Sequence, residues 1–206
     1  MIAVIDYGMG NLHSVAKALD HVGAKTRITD DPKVIERADK VVLPGVGAMP
    51  AAMEELAERH LTRPVCEAIA RGVPYLGICL GLQLLFQYGE EGEGSRGLGV
   101  LRGTVRKFPS KARGRSLKIP HMGWNQLKSP QTDGCPLLKG IPDEAFFYFV
   151  HSYYADPMDR VCVAGETTYG VQFTSMVWRR HVFATQFHPE KSQTVGLRLL
   201  KNFARL

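Results

Sequence analysis

The segment Gly77-Ile78-Cys79-Leu80-Gly81 carries the clearest chemistry in this 206-residue chain. It follows a strand-like apolar run over residues 74–78 and opens a helical pattern that the sequence carries from Cys79 to near Gly89. Glycine two residues before and two after a nucleophile suits a sharp strand-to-helix elbow, because a Cβ at either place would crowd the turn. At a helix start the unpaired amides and the macrodipole favour thiolate over thiol, and the amide of Leu80 stands where an oxyanion would form. A lone cysteine in that place reads first as a small buried hydrophobe. The flanking glycines turn the reading towards a nucleophile. Such a thiol needs a general base, and the base needs an orienting group. Gln186-Phe187-His188-Pro189-Glu190 supplies both types just after a strand over 181–186, with Glu190 able to return to the ring if the chain turns tightly. A carboxylate on one ring nitrogen would select the tautomer that accepts the thiol proton on the other. Pro44-Gly45-Val46-Gly47-Ala48 follows a further strand. Its glycines would let a peptide plane turn an N–H towards the sulfur, whereas alone the segment reads as a strand-ending turn.

Other candidates are weaker. Gly8 and Gly10 follow the first strand as in a dinucleotide-binding loop, but His13 occupies the place of the third glycine, so a tight turn is the better reading. That edge of the sheet could still bring Asn11 to a site. His121 and His151 follow extended stretches and read as core or surface histidines. Trp124 and the run Phe146, Phe147, Tyr148, Phe149 read as packing. No spacing suggests a metal site.

The elements that must hold these groups alternate. Extended runs at residues 2–6, 25–28, 40–43 and 74–78 are separated by helical patterns at 12–22, 32–37, 51–58 and 65–71. Alternation of this kind implies right-handed crossovers and a three-layer α/β architecture with a mainly parallel central sheet flanked by helices. Past Gly89 the texture changes to a glycine-containing stretch and then strand-like pieces at 103–108, 145–150, 161–166, 171–178 and 181–186, which predict an added antiparallel portion. A helix over 194–206, with Leu197, Leu200 and Phe203 at helical spacing, closes a single domain expected to span 1–206. Composition fits a folded protein needing neither disulfide nor structural metal, at 45% hydrophobic and 22% charged. Four scattered cysteines without a C-x-x-C pair predict free thiols, and the absence of a long apolar run predicts a cytoplasmic protein without membrane span or signal peptide. The formal charge of +6 raises nucleic acid as a partner, but the basic residues are dispersed or loop-like and lack interleaved aromatics, so no nucleic-acid partner is expected.

GICLGLQ at 77–83, PGVG at 44–47 and FHPE at 187–190 together resemble the class I, triad-type glutamine amidotransferases. IDYGMGNLHSV, PGVGA, GICLGLQLLF, HMGWN and QFHPEKSQ, in that order, are similar to the glutaminase subunits serving imidazole glycerol phosphate synthesis in histidine biosynthesis. The resemblance implies that Cys79 attacks the carboxamide of glutamine, His188 moves the proton and Glu190 holds the imidazole. It further implies that Gln83, Glu91, Ser152 and Tyr153 hold the amino-acid end of glutamine, with the backbone of Val46, Gly47 and Leu80 near the carbonyl. It implies no cofactor and no metal. The implied partner is a separate cyclase subunit of (β/α)₈-barrel fold that forms a heterodimer and receives ammonia through a tunnel, with Asn11, Trp124 and Lys191 near the junction. Three alternatives remain open at this stage: another ammonia-donating glutaminase, a degenerate amidotransferase kept as an interaction module, and a cysteine protease using the same nucleophile.

Overall fold

Alternation within the first strand already demands two cores. In β1 (Ile2–Ile5) Ala3 and Ile5 pack into one apolar cluster while Ile2 and Val4 pack into another, so the strand lies in a sheet covered on both faces. A computed structural model describes residues 1–112, 114–129 and 134–206. Its strands are β1, β2 (Thr26–Thr29), β3 (Lys40–Gly45), β4 (Tyr75–Cys79), β5 (Phe86–Gly89), β6 (Ser95–Arg96), β7 (Leu101–Lys107), β8 (Lys111–Ala112), β9 (Arg115–Ser116), β10 (His121–Leu127), β11 (Ala145–His151), β12 (Tyr153–Pro157), β13 (Val163–Tyr169), β14 (Val171–Arg179) and β15 (Val182–Thr185). The helices are α1 (Leu12–His21), α2 (Pro32–Glu36), α3 (Met49–Glu58), α4 (Thr62–Ala70), α5 (Leu80–Gln83) and α6 (Gln193–Ala204).

The main sheet runs β2-β1-β3-β4-β15-β14-β12-β7-β5-β6, with β13 on β14. From β2 to β15 every pairing is parallel, and the pairings of β15 with β14, β14 with β12 and β12 with β7 are antiparallel. Helices α2, α3 and α4 contribute Ile35, Leu56 and Val65 to one core, and α1 and α6 contribute Leu19 and Leu200 to the other. In α6 the buried residues Gly196, Leu199, Leu200 and Phe203 form a single stripe, the pattern of a helix lying on a sheet. The first helix is capped by Asn11, whose side chain accepts the Ser14 N–H at 3.3 Å.

Two departures from the sequence reading bear on the site. The helix expected from Cys79 to near Gly89 is only the single turn α5. Leu84, Leu85 and Phe86 are all fully buried, and three consecutive buried side chains cannot share one face of a surface helix. The chain therefore extends into β5, and the carbonyls of Leu84, Leu85 and Phe86 accept the N–H groups of Leu98, Leu101 and Gly99. The run over 145–150, expected among the strands added to the core sheet, is β11, which pairs instead with β10 in a separate antiparallel ribbon. That ribbon stands over the end of β4, where it walls the site.

Candidate active site

Three neighbouring strands deliver their C-terminal ends to one place, the edge where open α/β sheets put their ligands. β3 leads into residues 45–47, β4 ends at Cys79 directly opposite Gly45, and β15 leads into His188. Cys79 sits at φ 56°, ψ −104°, a conformation that costs a side-chain-bearing residue about 1–3 kcal/mol and persists only where its surroundings enforce it. The two elbow glycines are part of that enforcement. A Cβ on Gly77 would collide with the carbonyl oxygen of Gly81, and one on Gly81 with the carbonyl oxygen of Leu43 on β3. Since α5 is one turn long, the macrodipole anticipated from the sequence is small. What remains are the free amides of the turn, Leu80 first.

His188 is fixed from both sides. Its backbone N–H donates to Tyr148 on β11 at 2.9 Å, and its carbonyl accepts the Ser192 hydroxyl at 2.6 Å, while Ser192 Oγ accepts the Tyr148 N–H at 3.0 Å. A short 3₁₀ turn, Pro189–Lys191, then folds Glu190 back so that its Oε1 meets His188 Nδ1 at 2.8 Å, both side chains being buried. The tight return required of Glu190 is thus made. Nε2 is buried with no hydrogen-bond partner among the described residues, which leaves it available to the sulfur. Burial pulls the imidazolium down, but the charge and hydrogen bonding of Cys79 together with Glu190 outweigh it and raise His188 from 6.5 to about 10. The ring therefore keeps its proton at neutral pH.

A cleft of about 330 Å³ opens on the sulfur, lined by Val46, Gly47, Leu80, Gln83, Glu91, Pro120, Val150, His151, Ser152 and Tyr153 as well as Cys79. Every residue named from the resemblance as oxyanion or glutamine-binding therefore borders one cavity. Gly47 lies at φ +93°, so the peptide joining it to Val46 already occupies backbone space that few residues other than glycine adopt. Glu91 is tied down: its Oε2 accepts the N–H of Met49 at 2.7 Å, at the first turn of α3, which holds a carboxylate at the cleft wall.

Several groups at the site were not singled out from sequence. Gln186, fully buried, donates Nε2 to Cys79 Sγ at 3.6 Å and accepts Gln83 Nε2 at 3.1 Å. A polar residue closing the apolar strand Val182–Thr185 was the available signal. Tyr7 is fully buried, its hydroxyl without a hydrogen-bond partner among the described residues, and burial together with the Cys79 charge pushes its pKa well above the usual phenol range. His121 and His151, read separately as core or surface residues, are buried and joined, with His121 Nδ1 2.9 Å from His151 Nε2. Burial lowers them to about 4 and about 3, with neighbouring imidazoles adding to the effect at His151, so both rings are neutral at pH 7.

The residues expected at a junction lie on the surface. Trp124 on β10 is 46% exposed and meets Tyr148 edge to face at 6.1 Å, and Lys191 Nζ lies 6.0 Å over the same tyrosine ring. Asn11 is exposed at the start of α1. Because Tyr148 is bonded through its backbone to His188, the Trp124–Lys191 patch is one residue from the base.

This arrangement can attack an electrophilic carbonyl carbon, receive the oxyanion on backbone amides and move one proton through an oriented imidazole. The family of class-I glutamine amidotransferases matches residues 3–206, and the chain belongs to that family. Among its relatives is the imidazole glycerol phosphate synthase subunit HisH of Microcystis aeruginosa, 52% identical over 206 residues that cover 100% of this chain and 95% of the relative. The HisH subunit of Methylococcus capsulatus is 54% identical over 209 residues, covering 99% and 95%. Solved structures share the fold at low identity. PurLQS from Thermotoga maritima matches with a TM-score of 0.72 at 19% identity, over 99% of this chain and 95% of that one. The glutaminase domain of Trypanosoma brucei CTPS, solved with bound acivicin, matches with a TM-score of 0.67 at 15% identity, over 99% and 93%.

Proposed function

We propose that the chain hydrolyses glutamine to glutamate and ammonia and passes the ammonia to a separate cyclase subunit that makes imidazole glycerol phosphate in histidine biosynthesis. The carrying observation is the strained cysteine at the mouth of the cleft, beside an imidazole whose Nδ1 is held by a buried carboxylate at 2.8 Å. His188 Nε2 takes the Cys79 proton and Sγ attacks the side-chain carbonyl carbon of glutamine. The oxyanion is met by the Leu80 amide and the Val46–Gly47 peptide. His188 returns its proton to the departing amine, which leaves as ammonia, and a γ-glutamyl thioester remains. Water then loses a proton to His188 as it attacks the thioester, and glutamate departs while the thiol recovers the proton. Gln83, Glu91, Ser152 and Tyr153 hold the amino-acid end, the Glu91 carboxylate suiting the ammonium. Residues 1–206 act as one amidotransferase unit in this reading.

The cyclase is read as a (β/α)₈ barrel forming a heterodimer with this chain through the end bearing Asn11, Trp124 and Lys191. Support comes from the relatives, each named as a synthase subunit, and from the β10–β11 ribbon, which exposes Met122, Trp124 and Phe146 beside the site. The four free cysteines, and the fact that no helix among the described residues is long and apolar enough to cross a membrane, fit a cytoplasmic setting. In the assembled synthase, Cys79→Ala abolishes glutamine-dependent turnover and leaves turnover with added ammonium salt largely intact. Loss of both together would refute this division of labour.

A further inference from the structure

Gln186 has no part in the reaction described above, yet its fully buried amide touches the nucleophile. Which end of the amide meets the sulfur is decided by its neighbours. Gln83 Nε2 donates one proton to the carbonyl of Tyr153 at 3.1 Å and the other to Gln186 Oε1 at 3.1 Å, leaving Gln186 Nε2 for Cys79 Sγ. The Tyr153 carbonyl, which can only accept, also takes the proton of His151 Nδ1 at 2.7 Å. His151 Nε2 must then accept from His121 Nδ1, and His121 Nε2 accepts from Asn125 Nδ2 at 3.2 Å. Asn125 is itself oriented by donating to the Thr168 carbonyl at 3.0 Å and accepting the Gln126 N–H at 2.8 Å. Each hydrogen bond along this line has a single consistent direction, with both imidazoles neutral. A reversed Gln186 amide would set an N–H against an N–H at Gln83 and an oxygen against the sulfur.

We propose that Gln186 is a further catalytic residue, whose Nε2–H holds the Cys79 sulfur as a thiolate at the mouth of the cleft, its amide locked by the hydrogen-bonded line that runs back to Asn125. This rests on Cys79 being the nucleophile. In the thiol form the sulfur's acceptor is the Val150 carbonyl, 3.9 Å away. Once the proton moves to His188 that carbonyl opposes the new negative charge, and an N–H donor on the sulfur offsets it, since hydrogen bonds to ionised acceptors are the stronger ones. The titratable groups around the sulfur are His188 with Glu190 behind it, Tyr7 from the turn after β1, His151 from the end of β11, and, across the cleft, Glu91 and Tyr153. The turn α5 and residues 45–47 bring none. Gln186 carries no charge, so its removal reports the hydrogen bond.

The test is the pH dependence of iodoacetamide alkylation of the whole chain, followed on the Cys79 peptide by mass spectrometry. Gln186→Leu moves the midpoint of the Cys79 profile upward by about 1–2 pH units, the worth of one hydrogen bond to a charged acceptor. Gln186→Glu, which keeps an oxygen for Gln83 but sets a carboxylate beside the sulfur, moves it at least as far, and this variant carries the test if the leucine variant does not fold. Melting curves identify the folded variants. Midpoints that coincide with the wild type in both, even with a lowered melting temperature, would reduce Gln186 to a packing role and overturn the proposal. Alkylation requires no glutamine. A wild-type chain that alkylates at Cys79 but fails to hydrolyse glutamine with its partner would sink the proposed function and leave this measurement decisive.

Discussion

At the scale of single residues the site is a set of charges held in apolar surroundings, and the imidazole is where they balance. His188 is buried, which alone would favour the neutral ring, and it nevertheless holds its proton to about 10 because of Cys79 and Glu190. Removing the sulfur in Cys79→Ala leaves burial against Glu190 alone, so the His188 titration followed by NMR falls by more than about one pH unit. The sign of the stability effect follows from linkage. The folded ring binds its proton more tightly than the unfolded ring at 6.5, so its contribution is complete below pH 6.5 and is lost as the pH rises towards 10. A Cys79→Ala chain in which His188 still titrated near 10 would contradict this account. Burial raises the half-buried Cys66 and the buried Cys162 and Cys135, the last to about 11, which suits unreactive thiols.

Among the elements, the ribbon β10–β11 does the most to shape the site, because it contributes the His121–His151 pair and the Tyr148 backbone that fixes His188. The paired rings sit in an aromatic nest, with His121 stacked 4.1 Å from Tyr169 and 4.8 Å from Phe149. Their lowered values mean that the folded state binds fewer protons than the unfolded one. Stability is therefore full above pH 6.5 and declines as the pH falls through about 4 at His121 and about 3 at His151. His121→Phe preserves the stacking but removes one of these titrations, so denaturant midpoints of that variant decline less steeply with acid between pH 6.5 and 4 than those of the wild type. Parallel curves for the two proteins would show that the ring is not held neutral.

On the scale of the whole molecule, one end of the sheet carries both the cleft and an exposed aromatic and cationic patch. Trp124 stands on Tyr148 and Tyr148 is bonded to His188, so a surface pressing on the patch presses on the base. Large aromatic residues at the centre of an interface commonly contribute about 2 kcal/mol or more, and so Trp124→Ala is expected to weaken binding of the proposed cyclase partner by about 30-fold. Its half-exposed side chain is not part of the buried core, so the free chain keeps its melting temperature. Calorimetric titration with the partner checks the first expectation and thermal unfolding the second. Unchanged affinity would move the docking surface away from the ribbon.

Local sequence determined the chemistry and most of the parallel half. Glycines at 77 and 81 around Cys79, and Glu190 two residues after His188, are short-range patterns whose geometry follows from backbone sterics, and the alternation of apolar runs fixed β1 to β4 and their helices. The length of the helix after Cys79 was not legible, because Leu84, Leu85 and Phe86 are apolar enough for either state and only burial on all sides selected the strand. The pairing of β11 with β10, the junction of His121 to His151 across 30 residues, and the reach of Gln186 to Cys79 across 107 were likewise decided by tertiary structure. A hydrogen bond between distant residues leaves no periodicity in the sequence, since its partners are chosen by which strand ends the folded sheet brings side by side.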